Sequence, residues 1–315
     1  MHAFTAPEFQ TPEAARTAFE AILWPNGPVC HRCGETQRIY ATKRPGRHRC
    51  GNSECRKDFT VTTGTVMERS HIALNKWLMG FYMMASSKKG VSAHQLHRTL
   101  DIGYEAAWFM AHRLREAMRD GGLLPPMGGN GGIVEADETY YGPVEEARPS
   151  KQRKGRAYTK GGKSGPSNKR AIVSLVERGG SVRSFHVAVA DREHVAKIVT
   201  ENVDREATLH TDESRLYTKV GTEFAAHETV KHSAGEYVRG IIHTNTVEGV
   251  FSIFKRGMRG IYQHCREKHL HRYLAEYDFR YNHRVKLGFD DHARMTAMVR
   301  GVVGKRLTYQ QPHSA

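Results

Sequence analysis

The stretch Ile133-Val134-Glu135-Ala136-Asp137-Glu138-Thr139-Tyr140 reads as a strand, and the rest of the chain can be ordered from it. Successive side chains of a strand point to opposite faces, so of the adjacent Asp137 and Glu138 one faces an interior site and the other does not. Downstream, Ala171–Val176 and Val182–Val187 read as two strands of a hairpin around Gly179-Gly180. A helix over 191–202 follows, then a short strand from Ala207 ending at Asp212, and a weaker strand near 228–232. Two helices, about 244–260 and 267–284, close the domain.

This β-β-β-α-β-(α)-β-α-α order is that of a ribonuclease-H-like α/β fold, a mixed sheet with flanking helices. It brings three carboxylates into one argument. Asp137 lies on the first strand, Asp212 at the end of the strand after the helix, and Glu248 in the first turns of the next helix. Neighbouring strand ends and an adjacent helix can converge at one sheet edge. Mg²⁺ prefers carboxylate oxygens. Two such ions about 4 Å apart activate an attacking oxygen and stabilise a leaving one in phosphoryl displacement. Val247, Phe251, Phe254 and Met258 fall at i, i+4, i+7 and i+11 and predict the buried stripe of the helix. Glu248 stands one step off that stripe. Lys255, two turns on, shares the Glu248 face and suits a substrate phosphate.

Upstream, Gly121–Gly132 holds six Gly and two Pro and reads as a linker. Before it, Ser92-Ala93-His94-Gln95 starts a short helix, and Asp101-Ile102-Gly103 a turn. A longer helix then has Ala107, Ala111, Leu114 and Met118 on one face and His112, Arg113, Arg115 and Arg119 on another. Helix, turn and basic helix are the parts of a helix-turn-helix that binds DNA. Trp77, Phe81 and Ala85 mark an earlier helix, and Thr11 caps one over 11–22. Four of the five cysteines form two knuckles, Cys30-His31-Arg32-Cys33 and Cys50-Gly51-Asn52-Ser53-Glu54-Cys55. With strands near Arg38–Tyr40, Arg47–Arg49 and Asp58–Thr62 they suit structural Zn²⁺ in a zinc ribbon. His31 and His48 are substitute ligands. Gly34 and Gly51 stand where the knuckles turn.

The 315 residues carry 48 Lys and Arg against 33 Asp and Glu, a formal net charge of +15. The leading anionic partner for such a chain is nucleic acid. Between 151 and 170 there are eight basic residues and no acidic one: Lys151, Arg153, Lys154, Arg156, Lys160, Lys163, Lys169 and Arg170. Such a loop orders on a phosphate backbone or stays solvated. No apolar run is long enough for a membrane span, and the N-terminus lacks the basic and apolar regions of a secretory signal.

The segments Glu135–Tyr140, His210–Ser214, His243–Gly257, Gly260–His264 and Arg272–Arg284, with the ribbon and helix-turn-helix, closely resemble bacterial insertion-sequence DDE transposases with an N-terminal zinc ribbon. The resemblance covers about residues 15–290. It implies Asp137, Asp212 and Glu248 as ligands of Mg²⁺ or Mn²⁺, Lys255 as the basic residue after the third, and Asn245 as an alternative third ligand. Arg113, Arg115, the 151–170 cations and Arg256 would contact DNA. It implies water attack on the phosphodiester at the element end, then attack of the freed 3′-OH on target DNA. The partner would be double-stranded DNA, bound by a homodimer or larger assembly. The protein would be cytoplasmic and nucleoid-associated. A regulator without catalysis, and a ribonuclease-H-like nuclease that never joins strands, use the same residues. The expected divisions are 1–68 for helix and ribbon, 69–120 for the helix-turn-helix, 121–132 for the linker, 133–290 for catalysis and 291–315 for a tail.

Overall fold

The computed structural model describes residues 3–121, 124–144 and 169–308. The chain forms two compact units, Met1–Asp120 with His283–Ala315, and Gly121–Asn282.

In the first unit, helix α1 (Pro12–Leu23) starts where the Thr11 side chain accepts the Ala14 N–H at 3.1 Å, with Pro12 presetting the first turn. A small antiparallel sheet follows, in the order β1 (Ile39–Ala41), β2 (His48–Cys50), β3 (Asp58–Phe59). Trp24, His48 and Phe59 pack against one another beside it, so His48 is committed to the core of the ribbon. Three helices come next: α2 (Leu74–Ser86), α3 (Ala93–Leu100) and α4 (Tyr104–Ala117). Trp77, Phe81 and Ala85 of α2 are fully enclosed, as their four-residue spacing predicts. Ser92 caps α3 through the Gln95 N–H, and Asp101 takes a left-handed conformation to turn the chain into α4.

The second unit is built on a five-stranded sheet. Its strands are β4 (Ile133–Pro143), β5 (Lys169–Glu177), β6 (Val182–Val187), β7 (Thr208–Asp212) and β8 (Ala226–Val230), in the spatial order β6-β5-β4-β7-β8. The β4, β5 and β6 meander is antiparallel, while β7 and β8 run parallel to β4. Helix α5 (Arg192–Asn202) joins the two halves. A small hairpin, β9 (Val238–Arg239) with β10 (Ile242–His243), leads into α6 (Asn245–Gly257), and α7 (Leu270–Asn282) closes the unit.

The two faces of this sheet bury different layers. Val134, Ala136, Val173, Leu175 and Leu209 pack with Val195 and Val199 of α5 and with Tyr217. Ile172, Val176 and Val182 pack with Val247, Phe251 and Phe254 of α6 and with Leu274 and Tyr277 of α7. Each apolar residue of the α6 stripe stabilises the docking by about 1.5–3 kcal/mol. Because Val134 and Ala136 face α5, strand alternation turns Glu135 and Asp137 toward α6.

Two segments differ from their expected roles. The described part of the Gly/Pro stretch enters the second unit instead of spanning open solvent. Met127 is buried and exchanges backbone hydrogen bonds with Asn202 and Asp204, and the Gly128 N–H donates to Glu177 at 2.9 Å. Residues 291–315 were expected as a tail, but α8 (Asp291–Arg300) is a capped helix packed on α2. It buries Met295, Met298 and Val299, and Arg294 donates to the Ala85 carbonyl at 3.0 Å. Its partner lies some two hundred residues earlier, so no local signal announces the contact.

Candidate metal centre and acidic cleft

In the ribbon the Sγ atoms of Cys30, Cys33, Cys50 and Cys55 all lie within 4.8 Å of one another. Cys30 and Cys55 are 3.7 Å apart and Cys33 and Cys50 are 3.5 Å apart. A disulfide needs about 2.05 Å. A tetrahedron with Zn–S bonds of about 2.3 Å has edges of about 3.8 Å, and the quartet fits that figure. The first knuckle turns at Gly34, which takes a positive φ of 74°. The second turns differently from expectation. Gly51 has no positive φ, and a side chain there would meet the Arg38 carbonyl. The widened spacing is absorbed by a turn on Asn52. Its side chain accepts the Glu54 N–H, its carbonyl accepts the Cys55 and Arg56 N–H groups, and Arg56 takes the positive φ. His31 and His48 are not among the clustered ligands.

The second unit holds an open cleft of about 450 Å³ lined by Asp137, Glu138, Thr139, Glu248, Phe251, Ser252, Lys255, Arg256 and Arg259. β4 and β7 pair in parallel with Glu135 opposite His210. Asp137, midway along β4, and Asp212, the last residue of β7, each lie two residues beyond that pair. Burial, and then the charges of Asp212, Glu138 and Glu248, push Asp137 up to about 8. Asp212 thus acts on Asp137 electrostatically although it does not line the cleft. The three carboxylates do not close on one another. Among the described residues only the cysteines form a group with all ligand atoms within 4.8 Å. Glu248 accepts from the Thr244 hydroxyl at 3.2 Å and stands 3.8 Å from His232. Asn245, the first residue of α6, is exposed and does not line the cleft.

The acidic neighbours separate as strand alternation requires. Glu138 accepts from the Tyr217 hydroxyl at 3.0 Å and the Ser214 hydroxyl at 3.3 Å, on the α5 side, while touching the cleft rim. Burial and the Asp212 charge raise its pKa. Glu213 turns away to the Ser233 N–H and hydroxyl. Asp212 accepts the Ser214 N–H at 3.0 Å.

The helix that carries Glu248 also brings cations to the cleft: Lys255 and Arg256, with Arg259 just beyond its end, line it as well. Burial and the charge of Arg259 lower the Lys255 pKa, while Asp137 raises it. Lys169, on β5, is close enough to push in the same direction as Arg259. Arg259 was missed in the sequence, although its place one turn beyond Lys255 was a usable signal.

Three expected DNA contacts lie elsewhere. Arg113 and Arg115 are 9% and 2% exposed. The Arg113 guanidinium sits over the Phe109 ring and donates to the Glu68 carbonyl at 3.1 Å. Arg170 is buried and donates to the Cys265 carbonyl. A guanidinium on an aliphatic stem can serve a buried carbonyl as readily as a phosphate, and spacing alone does not separate the two. Lys151, Arg153, Lys154, Arg156, Lys160 and Lys163 lie outside the described residues.

A cysteine-quartet ribbon preceding, in the chain, a mixed-sheet unit whose cleft carries both carboxylates and cations is what an insertion-sequence transposase calls for. Residues 130–282 match the ISXO2-like transposase domain, and residues 10–58 match a transposase zinc-ribbon domain. A Halobacterium salinarum protein described as "Uncharacterized protein in transposable element ISH50" is 30% identical over 254 residues, 79% of this chain and 83% of that protein. The chain belongs to the ISXO2-like transposase family. Among the described residues no helix is long and apolar enough to cross a membrane.

Proposed function

We propose that the protein is a DNA transposase that binds the terminal inverted repeats of its element, hydrolyses the end phosphodiester, and joins the freed 3′-OH to target DNA. The observation that carries this reading is the cleft itself. Asp137 of β4 and Glu248 of α6 line it together with Lys255, Arg256 and Arg259, and the Asp212 charge acts on Asp137. The strand order, three antiparallel strands flanked by two parallel ones, supports a ribonuclease-H-like domain.

Asp137, Asp212 and Glu248 would hold Mg²⁺ or Mn²⁺. Oxygen donors and a proton held on Asp137 to about pH 8 fit a site that takes up cations. The bound ions would activate the attacking oxygen and stabilise the leaving one. Glu248 is preferred to Asn245 because it lines the cleft and is anionic. Lys255, Arg256 and Arg259 would hold the phosphate backbone. In hydrolysis the P–O3′ bond to be broken gives a 3′-OH and a 5′-phosphate. In joining, that 3′-OH forms a new P–O bond in the target and releases a target 3′-OH.

Helices α3 and α4 would form a helix-turn-helix, and with the ribbon would read the element end. The contacts move from Arg113 and Arg115 to the exposed His94, Gln95 and Arg98 and the N-terminal Tyr104, which stacks on His94 at 4.4 Å. The protein would act at the nucleoid. Two ends need two active sites, so a dimer or larger assembly would form on DNA.

A labelled duplex carrying the DNA that flanks the gene tests this, with and without Mg²⁺. Joined products are expected from the wild type. Asp212→Asn should abolish cleavage while leaving DNA binding. Cleavage retained in Asp212→Asn would sink the site. Cleavage without joining would make the protein a nuclease, and binding without either would make it a regulator. Loss with Asn245→Ala but not Glu248→Gln would move the third ligand.

A further inference from the structure

Glu135 is the most enclosed carboxylate beside the cleft, with no exposed surface, yet it does not line the cleft. Its Oε2 accepts the backbone N–H groups of Thr246 and Val247 at 2.8 and 3.1 Å. Its Oε1 accepts the Thr246 hydroxyl and the Arg178 Nε, both at 2.7 Å, and lies 3.3 Å from His243. Thr246 and Val247 are the second and third residues of α6, whose N–H groups an N-cap side chain ordinarily serves. The local cap residue, Thr244, makes no such bond and donates instead to Glu248. A side chain more than a hundred residues earlier in the chain therefore caps α6.

A carboxylate is favoured there by the helix dipole, and Arg178 compensates its charge. Arg178 also fixes the approach to α6, donating to the His243 carbonyl at 3.0 Å and to the Ile241 carbonyl. Glu135 and Asp137 share one strand and one face, two residues apart. The cap thus ties the helix that carries Glu248 directly to the strand that carries Asp137.

We propose that Glu135 is a positioning residue of the cleft. By capping α6 from β4 it sets the separation of Asp137 and Glu248, and with it the affinity for a divalent cation that Glu135 itself does not touch. This rests on the metal-site reading above. Residues that orient metal ligands typically change affinity 10- to 100-fold when replaced.

The test titrates Mn²⁺ into the DNA-free full-length protein, followed by paramagnetic resonance, alongside thermal unfolding. Glu135→Gln keeps the shape but puts an NH₂ in place of one of the two oxygens that each accept two donors, and removes the charge that the helix dipole and Arg178 favour. It should weaken Mn²⁺ binding about tenfold or more, and cleavage should recover at excess Mn²⁺. Thr246→Val removes one hydroxyl donor, leaves both N–H bonds, and should weaken binding less. It carries the test if Glu135→Gln fails to fold. Val199→Ala on α5, at the opposite face, measures general destabilisation and should leave Mn²⁺ affinity unchanged. Unchanged Mn²⁺ affinity in both Glu135→Gln and Thr246→Val would overturn the proposal, as would equal weakening by Val199→Ala. Asp137→Asn separates the two readings. If it leaves Mn²⁺ affinity intact, the metal site itself is wrong and the positioning role falls with it. If it abolishes binding while the cap variants do nothing, only the positioning role fails.

Discussion

Three carboxylates stand within four positions of β4, and each has different partners. Glu135 is saturated by N–H and O–H donors, Glu138 holds Tyr217 and Ser214, and Asp137 is left facing the cleft with like charges around it. That last placement has a measurable consequence. Asp137 titrates at about 8 in the folded protein against an ordinary 3.8. Between those values the folded chain keeps a proton that the unfolded chain has released, so stability falls as pH rises, by about 1.4 kcal/mol per unit. The full contribution is present below pH 4. His210, His227 and His269 have lowered pKa values and act with the opposite sign below about pH 6.5. The readout is therefore the difference between wild type and Asp137→Asn in urea unfolding at pH 5 and 7.5, with a chelator present. The variant should show a shallower slope, keeping what Glu138, whose pKa is also raised, adds with the same sign. An unchanged slope would assign the titration to another group. Mn²⁺ affinity of the wild type should rise over the same pH window, because the cation and the proton compete for the same oxygens.

At the scale of elements, alternation and caps were legible wherever the decisive neighbour lay close in sequence. Thr11 and Ser92 announced their helices, and the stripe of Val247, Phe251 and Phe254 announced the buried side of α6. The succession of the five sheet strands along the chain was legible from β4 onward. The misses share one cause, a partner distant in sequence. Glu135 caps α6, α8 packs on α2, Arg113 serves the Glu68 carbonyl, and Arg170 serves the Cys265 carbonyl. Helix α4 shows the consequence for DNA binding. From Met110 to Met118 every residue except Glu116 is buried, so in the proposed helix-turn-helix its N-terminal turns and α3 would be left to touch a groove. Arg98→Ala should weaken DNA binding and lower the salt dependence by about one unit of log–log slope, as loss of one phosphate contact does. Arg113→Ala should leave that slope unchanged and cost about 1–3 kcal/mol of folding stability through a lost cation–π contact and an orphaned carbonyl. Binding at several salt concentrations and a urea titration decide between them. A changed slope in Arg113→Ala would return that residue to the interface.

At the scale of the whole molecule, the division into two compact units would separate recognition from chemistry. The ribbon has three strands of two or three residues and a core of Cys30, Cys50 and Phe59 with a few partly buried neighbours. That is too little apolar surface to offset its chain entropy, so its folding should depend on metal bound by the four thiolates. The second unit draws on two extensive clusters, one on each face of its sheet. Cys33→Ser, or removal of zinc, should therefore unfold the ribbon and spare the cleft. Mn²⁺ binding should persist. Preference for the element end over unrelated duplex should fall at least about tenfold at fixed salt, a loss of about 1.4 kcal/mol or more. Binding to unrelated DNA should survive, because a net charge of +15 still releases counterions from any duplex. Competition between end and unrelated duplexes, with bound zinc measured on the same samples, checks this. An unchanged preference in zinc-free protein would take end recognition away from the ribbon and leave it to α3 and the start of α4. Loss of Mn²⁺ binding together with zinc would show that the two units do not fold independently.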